Sequence, residues 1–275
     1  ETTVPENWTV QATPNDGFVD GTMVTSNNVT ILNTLPPAPV LVSPANLTTT
    51  TSRTLTFVWN NSVDTDNDPN ISYRLEIDNN ILFNNPEVNV TGIINTTNDN
   101  TTYAITTELA VDATYFWRVF AYDQADYSIS TNVGNFTLQS LLSVNITNDL
   151  VAFGTFAPGT TASTPADANP FRGENVGNIV ANISITGTPL FTAVSMPSTF
   201  YRFKIRANES GAFNTTASAT EWNETNTTID ALVFHVVNLD WHSISNDFLT
   251  DLNISVPTNE SPGSKSSAMT FTITG

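Results

Sequence analysis

The sequence predicts an all-β protein in which two consecutive β-sandwiches follow an amino-terminal β-hairpin. Apolar and polar residues alternate in many short stretches, most clearly from Leu109 to Asp123, and this period of two is typical of half-buried strands. Turn residues such as Pro158-Gly159 and Pro262-Gly263 separate the stretches, and no segment shows a helical period. With 275 residues, the chain is long enough for two sandwiches of roughly 100 to 150 residues each.

Residues 1–36 contain an internal repeat of a later segment. Trp8-Thr-Val10-Gln-Ala12 matches Trp117-Arg-Val119-Phe-Ala121, and Asn28-Val-Thr30-Ile31 matches Asn135-Phe-Thr137-Leu138. The amino-terminal segment is therefore predicted to be a hairpin that lacks the rest of its sandwich. Because a two-stranded ribbon is only marginally stable in water, three explanations remain open. It packs on its own chain, it completes a sheet in a neighbouring copy by strand donation, or it remains from a longer precursor. The alternative to all three is a frayed tail whose similarity to the later segment is accidental.

If the hairpin is donated, its apolar side chains are the expected subunit contacts. These residues are Trp8, Val10, Ala12, Val29 and Ile31.

A stiff proline linker from Leu35 to Pro39 follows the hairpin, and the first sandwich is predicted over residues 37–140. Its predicted strands are Val40 to Val42, Leu55 to Trp59, Ile71 to Ile77, Leu82 to Val90, Tyr103 to Leu109, Leu109 to Asp123, and Val133 to Leu138.

Leu109, Thr114-Tyr115, Val119 and Ala121 form a run that resembles strand F of fibronectin type III and related immunoglobulin-like domains. The tryptophan of the second predicted strand and the tyrosine of the third extend this likeness over about 100 residues. The resemblance implies a β-sandwich in which the strand F tyrosine ties the strand to the preceding loop. The resemblance gives almost no information about function.

Residues 141–275 are predicted to form the second sandwich. Its predicted strands are Leu142 to Ile146, Ile179 to Ile185, Tyr201 to Ile205, Leu232 to Val236, Leu252 to Val256, and Met269 to Ile273. Ala157 to Asn169, rich in Thr, Ala and Pro, is predicted to be a surface loop. The order of turns and apolar residues from Val151 to Thr272 resembles a sandwich module of archaeal surface-layer and filament proteins, which implies a cell-surface role and an archaeal source.

Asp64, Asp66 and Asp68 alternate in a short acidic segment between two predicted strands. Carboxylate oxygens in such a loop suit Ca²⁺, and a structural Ca²⁺ ion is the one cofactor considered. A solvated acidic turn is the alternative. An EF-hand is excluded because Pro69 stands where that motif needs glycine.

Asn-x-Ser/Thr sequons are twice as frequent as chance predicts. The chain contains seventeen, against about eight expected from its composition. Asn145, Asn182 and Asn253 each lie between two apolar residues and are therefore expected to face away from the core. We interpret the excess as heavy N-linked glycosylation of an extracellular or cell-surface protein. The predicted acceptors are Asn7, Asn28, Asn46, Asn60, Asn70, Asn89, Asn95, Asn100, Asn135, Asn145, Asn182, Asn208, Asn214, Asn223, Asn226, Asn253 and Asn259.

The composition excludes several classes of partner. The net charge of −18 would repel a phosphate backbone, so no nucleic-acid partner is expected. Without cysteine, the chain has neither disulfides nor a thiolate metal site. No run of about twenty apolar residues is present, so no membrane span is expected in this chain, which we interpret as a mature protein or an ectodomain.

No catalytic arrangement is evident, and the protein is not expected to be an enzyme. His235 and His242 are the only histidines, and the sequence lacks a Gly-x-Ser-x-Gly elbow. Acidic pairs for glycoside cleavage are not visible at this level, because only the fold brings them together. Phe116, Phe120 and Tyr122, on the other face of strand F, could bind sugar, contact a subunit or pack inside the protein.

These observations favour a structural subunit of an extracellular filament, such as a pilus, or of a surface array. Its partners would be copies of itself, joined by strand donation. The alternative is an adhesin or a carbohydrate-binding module of a larger surface protein.

Overall fold

The computed structural model describes residues 6–65, 70–97, 99–129, 132–164, 170–228 and 233–275. All the regular secondary-structure elements in those residues are β-strands, so the predicted all-β class is confirmed. The chain divides into two compact units, Glu1–Gln139 and Ser140–Gly275.

The strands of the first unit are β1 (Glu6–Trp8), β2 (Gln11–Ala12), β3 (Val24–Thr25), β4 (Val29–Ile31), β5 (Leu41–Ser43), β6 (Thr48–Thr50), β7 (Thr56–Asn60), β8 (Ser72–Asp78), β9 (Val88–Ile94), β10 (Asn100–Ala104), β11 (Ala113–Tyr122) and β12 (Gly134–Leu138). Those of the second unit are β13 (Val144–Asn148), β14 (Thr161–Ser163), β15 (Phe171–Asn175), β16 (Ala181–Gly187), β17 (Tyr201–Ala207), β18 (Asn223–Glu224), β19 (Val236–Leu239), β20 (Asp247–Ser255) and β21 (Met269–Thr274).

The first unit is a two-sheet sandwich preceded by a ribbon. One sheet has the order β10-β7-β5 and the other the order β6-β12-β11-β8-β9. The inward residues of both sheets form one core, in which Trp59, Tyr73 and Trp117 are fully buried. The predicted tyrosine corner is confirmed, because the Tyr115 hydroxyl donates a 3.1 Å hydrogen bond to the carbonyl of Ala110.

Two middle strands of this sandwich are displaced along the sequence from the positions that the alternation predicts, one toward the carboxyl terminus and one toward the amino terminus. The strand predicted from Leu82 begins only at Val88, because the preceding segment is a turn held by Asp78. The Asp78 carboxylate accepts hydrogen bonds from the backbone N–H groups of Asn80 and Asn85, and Phe83 adopts a left-handed φ of 51°. The next strand is Asn100–Ala104, where a strand from Tyr103 to Leu109 was predicted.

The second unit is also a two-sheet sandwich. The larger sheet has the order β13-β15-β20-β17-β18, with β14 paired to β20, and the smaller sheet has the order β19-β16-β21. Phe203, Phe248 and Ile183 are fully buried between the sheets. No helix in the described residues is long and apolar enough to span a membrane.

The prediction that Ala157 to Asn169 is entirely a loop is wrong in one part. Thr161–Ser163 forms β14 and pairs with the carboxyl-terminal half of β20. β14 is short and held by backbone pairing, and its side chains are small. The sequence therefore shows no clear strand pattern there. Residues 165–169 lie outside the described residues. Of the strand predicted at Leu232 to Val236, Leu232 lies outside the described residues, and the strand that the structure shows there is Val236–Leu239.

Candidate functional site

The amino-terminal ribbon is a long, narrow antiparallel hairpin. β1 pairs with β4 and β2 pairs with β3, and these strands pair with no others in the described part of the chain. The turn of the hairpin is closed by a bridge between Asn15 and Asp20. The ribbon therefore leaves both of its edges open for hydrogen bonding.

One face of the ribbon is mainly apolar, with Glu6 at its base directly opposite Ile31. Trp8 pairs directly with Val29, and Ala12 pairs with Val24, so each pair shares a face. The spacing of two residues from Trp8 through Val10 to Ala12 places both pairs on the same side. Their partners Val29 and Val24 are five residues apart, so the register shifts by one residue between the two pairs. We call this side, with the Ile31 side chain at its base, the apolar face of the ribbon.

The opposite face of the ribbon is polar. Asn7 pairs with Thr30 there, and the Thr30 hydroxyl donates a 2.6 Å hydrogen bond to Asn7 Oδ1. Asn7 is also a predicted glycan acceptor. A glycan at this position would extend from the polar face and leave the apolar face open.

The apolar face is open to solvent. Trp8 is 50% exposed, Val10 68% and Val29 59%, Ala12 is exposed, and Ile31 is half-buried. The five predicted contact residues thus lie together on one open surface. Val24, 65% exposed, belongs to the same face but was not predicted, because its pairing with Ala12 is visible only from the hairpin register.

The tip of the hairpin displays a second set of apolar residues. Asp16 Oδ1 accepts hydrogen bonds of 3.0 Å from the backbone N–H groups of both Phe18 and Val19. These bonds lower the pKa of Asp16 and shape the turn. Phe18 is 96% exposed as a result. Sequence reasoning missed this residue, although Asn15-Asp16-Gly17 is a turn signal.

The base of the ribbon is tied to the first sandwich. Asn33 Nδ2 donates a 3.0 Å hydrogen bond to Asp123 Oδ2. Within the proline linker, the Pro37 carbonyl accepts a bond from the Ser62 hydroxyl, and the Pro39 carbonyl accepts one from Asn132. The linker is therefore fixed to the domain that follows it.

The proposed Ca²⁺ ligands are only partly within the described residues. Asp64 is buried at 5% exposure, whereas Asp66 and Asp68 lie outside the described residues. Among the residues that the structure describes, no group of three His, Asp or Glu side chains is arranged to hold a metal ion.

Most predicted glycan acceptors are accessible. Twelve are exposed: Asn7, Asn28, Asn46, Asn60, Asn70, Asn89, Asn95, Asn145, Asn208, Asn214, Asn226 and Asn259. Four are half-buried: Asn100, Asn135, Asn182 and Asn223.

Asn253 departs from this pattern, and the expectation that it faces solvent is wrong. It lies on the outer side of β20, but it is only 6% exposed. Its Nδ2 donates a 2.7 Å hydrogen bond to Ser163, and its Oδ1 accepts a 3.1 Å bond from Arg202. β14 and the Arg202 side chain cover this side of β20, which an alternating pattern alone does not reveal.

The aromatic side chains on the outer face of β11, Phe116, Phe120 and Tyr122, are half-buried, and arginine covers Phe120. The Arg74 guanidinium lies 4.2 Å from the centre of the Phe120 ring and 4.7 Å from that of Tyr127. Arg118 lies 5.0 Å from the Phe120 ring. Such cation–π contacts occupy the ring faces that a sugar would stack on, so they weigh against the predicted sugar platform.

The two histidines lie in different surroundings. The His242 ring stacks on Trp241 at 4.1 Å and its Nδ1 lies 2.7 Å from Asp240 Oδ1. His235 packs against Phe203, and its Nδ1 accepts a 2.8 Å hydrogen bond from the backbone N–H of Ile185. The accepting nitrogen of His235 must be unprotonated, so the bonded ring is neutral.

The stability of the second unit is expected to fall as the pH drops below about 6.5, the ordinary pKa of histidine. Burial lowers the pKa of His235 in the folded state. The unfolded chain therefore binds more protons in this range, and stability falls until the pH passes the folded pKa. We expect the melting temperature to fall less between pH 7.5 and pH 5 in His235→Gln than in the natural protein. His242→Gln is the control, and an unchanged slope in His235→Gln would contradict the prediction.

Comparison with known proteins adds little. No protein-family model and no curated protein matches the chain. Similar solved structures include the FN1-FN3 domains of chicken CNTN1, with 10% identity and a TM-score of 0.27 over 97% of this chain and 75% of that chain. Another is the alpha-L-rhamnosidase from Dictyoglumus thermophilum, with 10% identity and a TM-score of 0.29 over 88% of this chain and 27% of that chain. At these TM-scores the likenesses support no functional conclusion.

Proposed function

We propose that this chain is a structural subunit of an extracellular, N-glycosylated filament or surface array, and that its amino-terminal ribbon is donated to another copy. The apolar face of the ribbon is the observation that carries the proposal. Trp8, Val10, Val24 and Val29 are each at least half exposed. Burying such side chains is worth about 1 kcal/mol or more each, and main-chain hydrogen bonds along an open ribbon edge would add affinity.

The abundance of sequons supports the extracellular part of the proposal. Twelve of the seventeen acceptors are exposed, so many glycans could be carried without unfolding. The likeness of Val151 to Thr272 to archaeal surface proteins favours the same setting. The adhesin alternative is less favoured, because arginine side chains cover Phe120, the middle one of the three aromatic residues that it would use.

Removing residues 1–32 is expected to leave a folded monomer. This deletion keeps Asn33 and its hydrogen bond to Asp123, and no deleted residue belongs to the core of the sandwich. Sedimentation velocity and electron microscopy of the natural and shortened proteins would measure assembly. Circular dichroism would show that the shortened chain retains its β-structure. Assembly of the shortened chain at the natural concentration would rule out donation of the ribbon.

A further inference from the structure

The second unit contains a groove, mainly apolar on one wall and polar on the other, where β16 ends and β21 begins. Its volume is about 840 Å³, within the roughly 300–1,000 Å³ of ordinary ligand pockets. Phe171, Phe191 and Leu252 contribute apolar side chains to its lining, and the segments 150–156 and 260–267 form its walls. Leu150 and Phe156, on one wall, are 74% and 38% exposed. The groove therefore presents apolar surface that nothing in the described chain covers completely.

The second wall of the groove is held in place by Glu260. This side chain is only 2% exposed, and its carboxylate accepts hydrogen bonds from the Thr192 N–H and hydroxyl and from the Ala193 N–H. It also pairs with Lys265. The Lys265 ammonium and these N–H donors lower the pKa of Glu260 to about 2, so the carboxylate is charged at neutral pH. The groove wall is thus fixed before anything binds.

Next to the groove, the smaller sheet ends in an open edge. β21 pairs with β16 on one side, and no other described strand pairs with it. The Thr188 N–H donates to the Ala268 carbonyl, which directs the backbone of Ala268 toward the β16 side. In an antiparallel pair, the N–H and C=O groups of successive residues point alternately toward the partner strand and away from it. Those of Met269, Phe271 and Ile273 therefore point away from β16, toward the open edge of the sheet. Their side chains pack on the core but are only half-buried.

The other edge of this sheet is different. Beyond β19, the Asn214 N–H donates to the Val237 carbonyl, and the Ala219 N–H donates to the His235 carbonyl. These bonds cover the β19 edge with the chain's own backbone. Of the two edges, β21 is the one that is open to a further strand.

We infer that the β21 edge and the adjoining groove accept the amino-terminal ribbon of a second copy. This inference rests on the proposed function, for which it supplies the receiving site. Residues 6–12 of the ribbon, which contain β1 and β2, number seven, and β21, Met269–Thr274, has six residues, so the two segments are similar in length. Both strands carry apolar residues at alternate positions, so their side chains meet on one face when the strands pair. Addition of the two-stranded ribbon would extend the three-stranded sheet to five strands.

Glycan placement agrees with this pairing. None of the residues that line the groove is a predicted acceptor, although the exposed acceptor Asn259 directly precedes Glu260 of its wall. On the ribbon, the acceptor Asn7 lies on the polar face, so its glycan would point away from the apolar face. The same docking covers the exposed wall residues Leu150 and Phe156.

Two full-length variants test the inference. Trp8→Asp/Val10→Asp damages the donor, and Leu150→Glu/Phe156→Glu damages the acceptor. Each alone is expected to remain monomeric in sedimentation velocity, with an association constant reduced by about tenfold or more. A 1:1 mixture is expected to form dimers and nothing longer, because it contains one intact ribbon and one intact groove per pair. Ile244→Glu, at an 82% exposed site of the second unit outside the groove, should assemble normally.

The outcomes separate the two proposals. If the acceptor variant assembles like the natural protein while the donor variant does not, the groove is wrong and ribbon donation stands. If the donor variant assembles normally, both proposals fail. A mixture that stays monomeric also overturns the groove assignment. Circular dichroism and thermal melting identify any variant that is unfolded, and Ser264→Trp, at an exposed position of the groove wall, blocks the groove without removing a core side chain.

Discussion

Gly173→Ala is expected to destabilise the second unit by about 3 kcal/mol. Gly173 lies on β15 directly opposite Phe248 of β20. A Cβ atom at Gly173 would lie 2.3 Å from Cζ and 2.5 Å from Cε1 of the Phe248 ring. Phe248 is fully buried and packs beside Phe271, so the ring has little room to move. The clash must therefore be relieved by backbone displacement or by an unfavourable rotamer.

Urea denaturation of the full chain would measure this effect. Phe248→Leu removes the clashing ring, and the double variant Gly173→Ala/Phe248→Leu should be more stable than the sum of the two single effects predicts by at least about 1 kcal/mol. Gly134→Ala is the corresponding substitution in the first unit, because its Cβ would lie 2.4 Å from Nε1 of the buried Trp117. An unchanged unfolding midpoint in Gly173→Ala would show that the ring moves freely and would contradict the packing argument.

Strands that bury one face were predictable, because burial on one side leaves a period of two in the sequence. β8, β11, β17 and β21 all lie where the alternation places them. β6 and β14 were missed, because Thr48–Thr50 and Thr161–Ser163 are short, polar and held mainly by backbone pairing. Their existence depends on a partner strand far away in the sequence.

β20 was also predicted only in part, because its burial depends on residues from other strands. Eight of its nine residues are buried, so both faces are covered, whereas the alternation predicted only Leu252 to Val256. Asp247 and Asp251 are buried on the outer face because Arg172 and Arg206 pair with them. The arginines come from neighbouring strands, and no local pattern connects them with β20.

The candidate site was predictable in part for the same reason. The apolar residues of the ribbon follow from the internal repeat, since Trp8, Val10 and Ala12 match the buried side of β11. The groove was not predictable. Its walls come from residues 150–156 and 260–267, which are more than 100 residues apart and meet only in the folded sandwich.

Glu76→Ala is the second substitution for which a large loss is expected, about 3 kcal/mol in the first unit. Glu76 is 5% exposed on the outer face of β8 and lies between two arginines. Its Oε2 accepts a 2.7 Å hydrogen bond from Arg118, and its Oε1 lies 3.3 Å from Nε of Arg74. Both guanidinium groups also stack on aromatic rings, including Phe120 between them. Without the carboxylate, two like charges remain side by side in a partly buried layer.

A double-mutant cycle separates this ionic effect from lost packing. Arg118→Ala removes one of the two charges, so Glu76→Ala/Arg118→Ala should be less destabilised than the sum of the single variants, with a coupling of about 1–3 kcal/mol. Glu76→Gln retains the size of the side chain and one acceptor oxygen, and its loss should lie between those of the natural protein and Glu76→Ala. The free energies come from urea unfolding, followed by the fluorescence of the buried Trp59 and Trp117. If the losses of the two single variants add up to that of the double variant, removal of the carboxylate has the same effect whether or not Arg118 is present. The aromatic contacts alone would then hold the arginines.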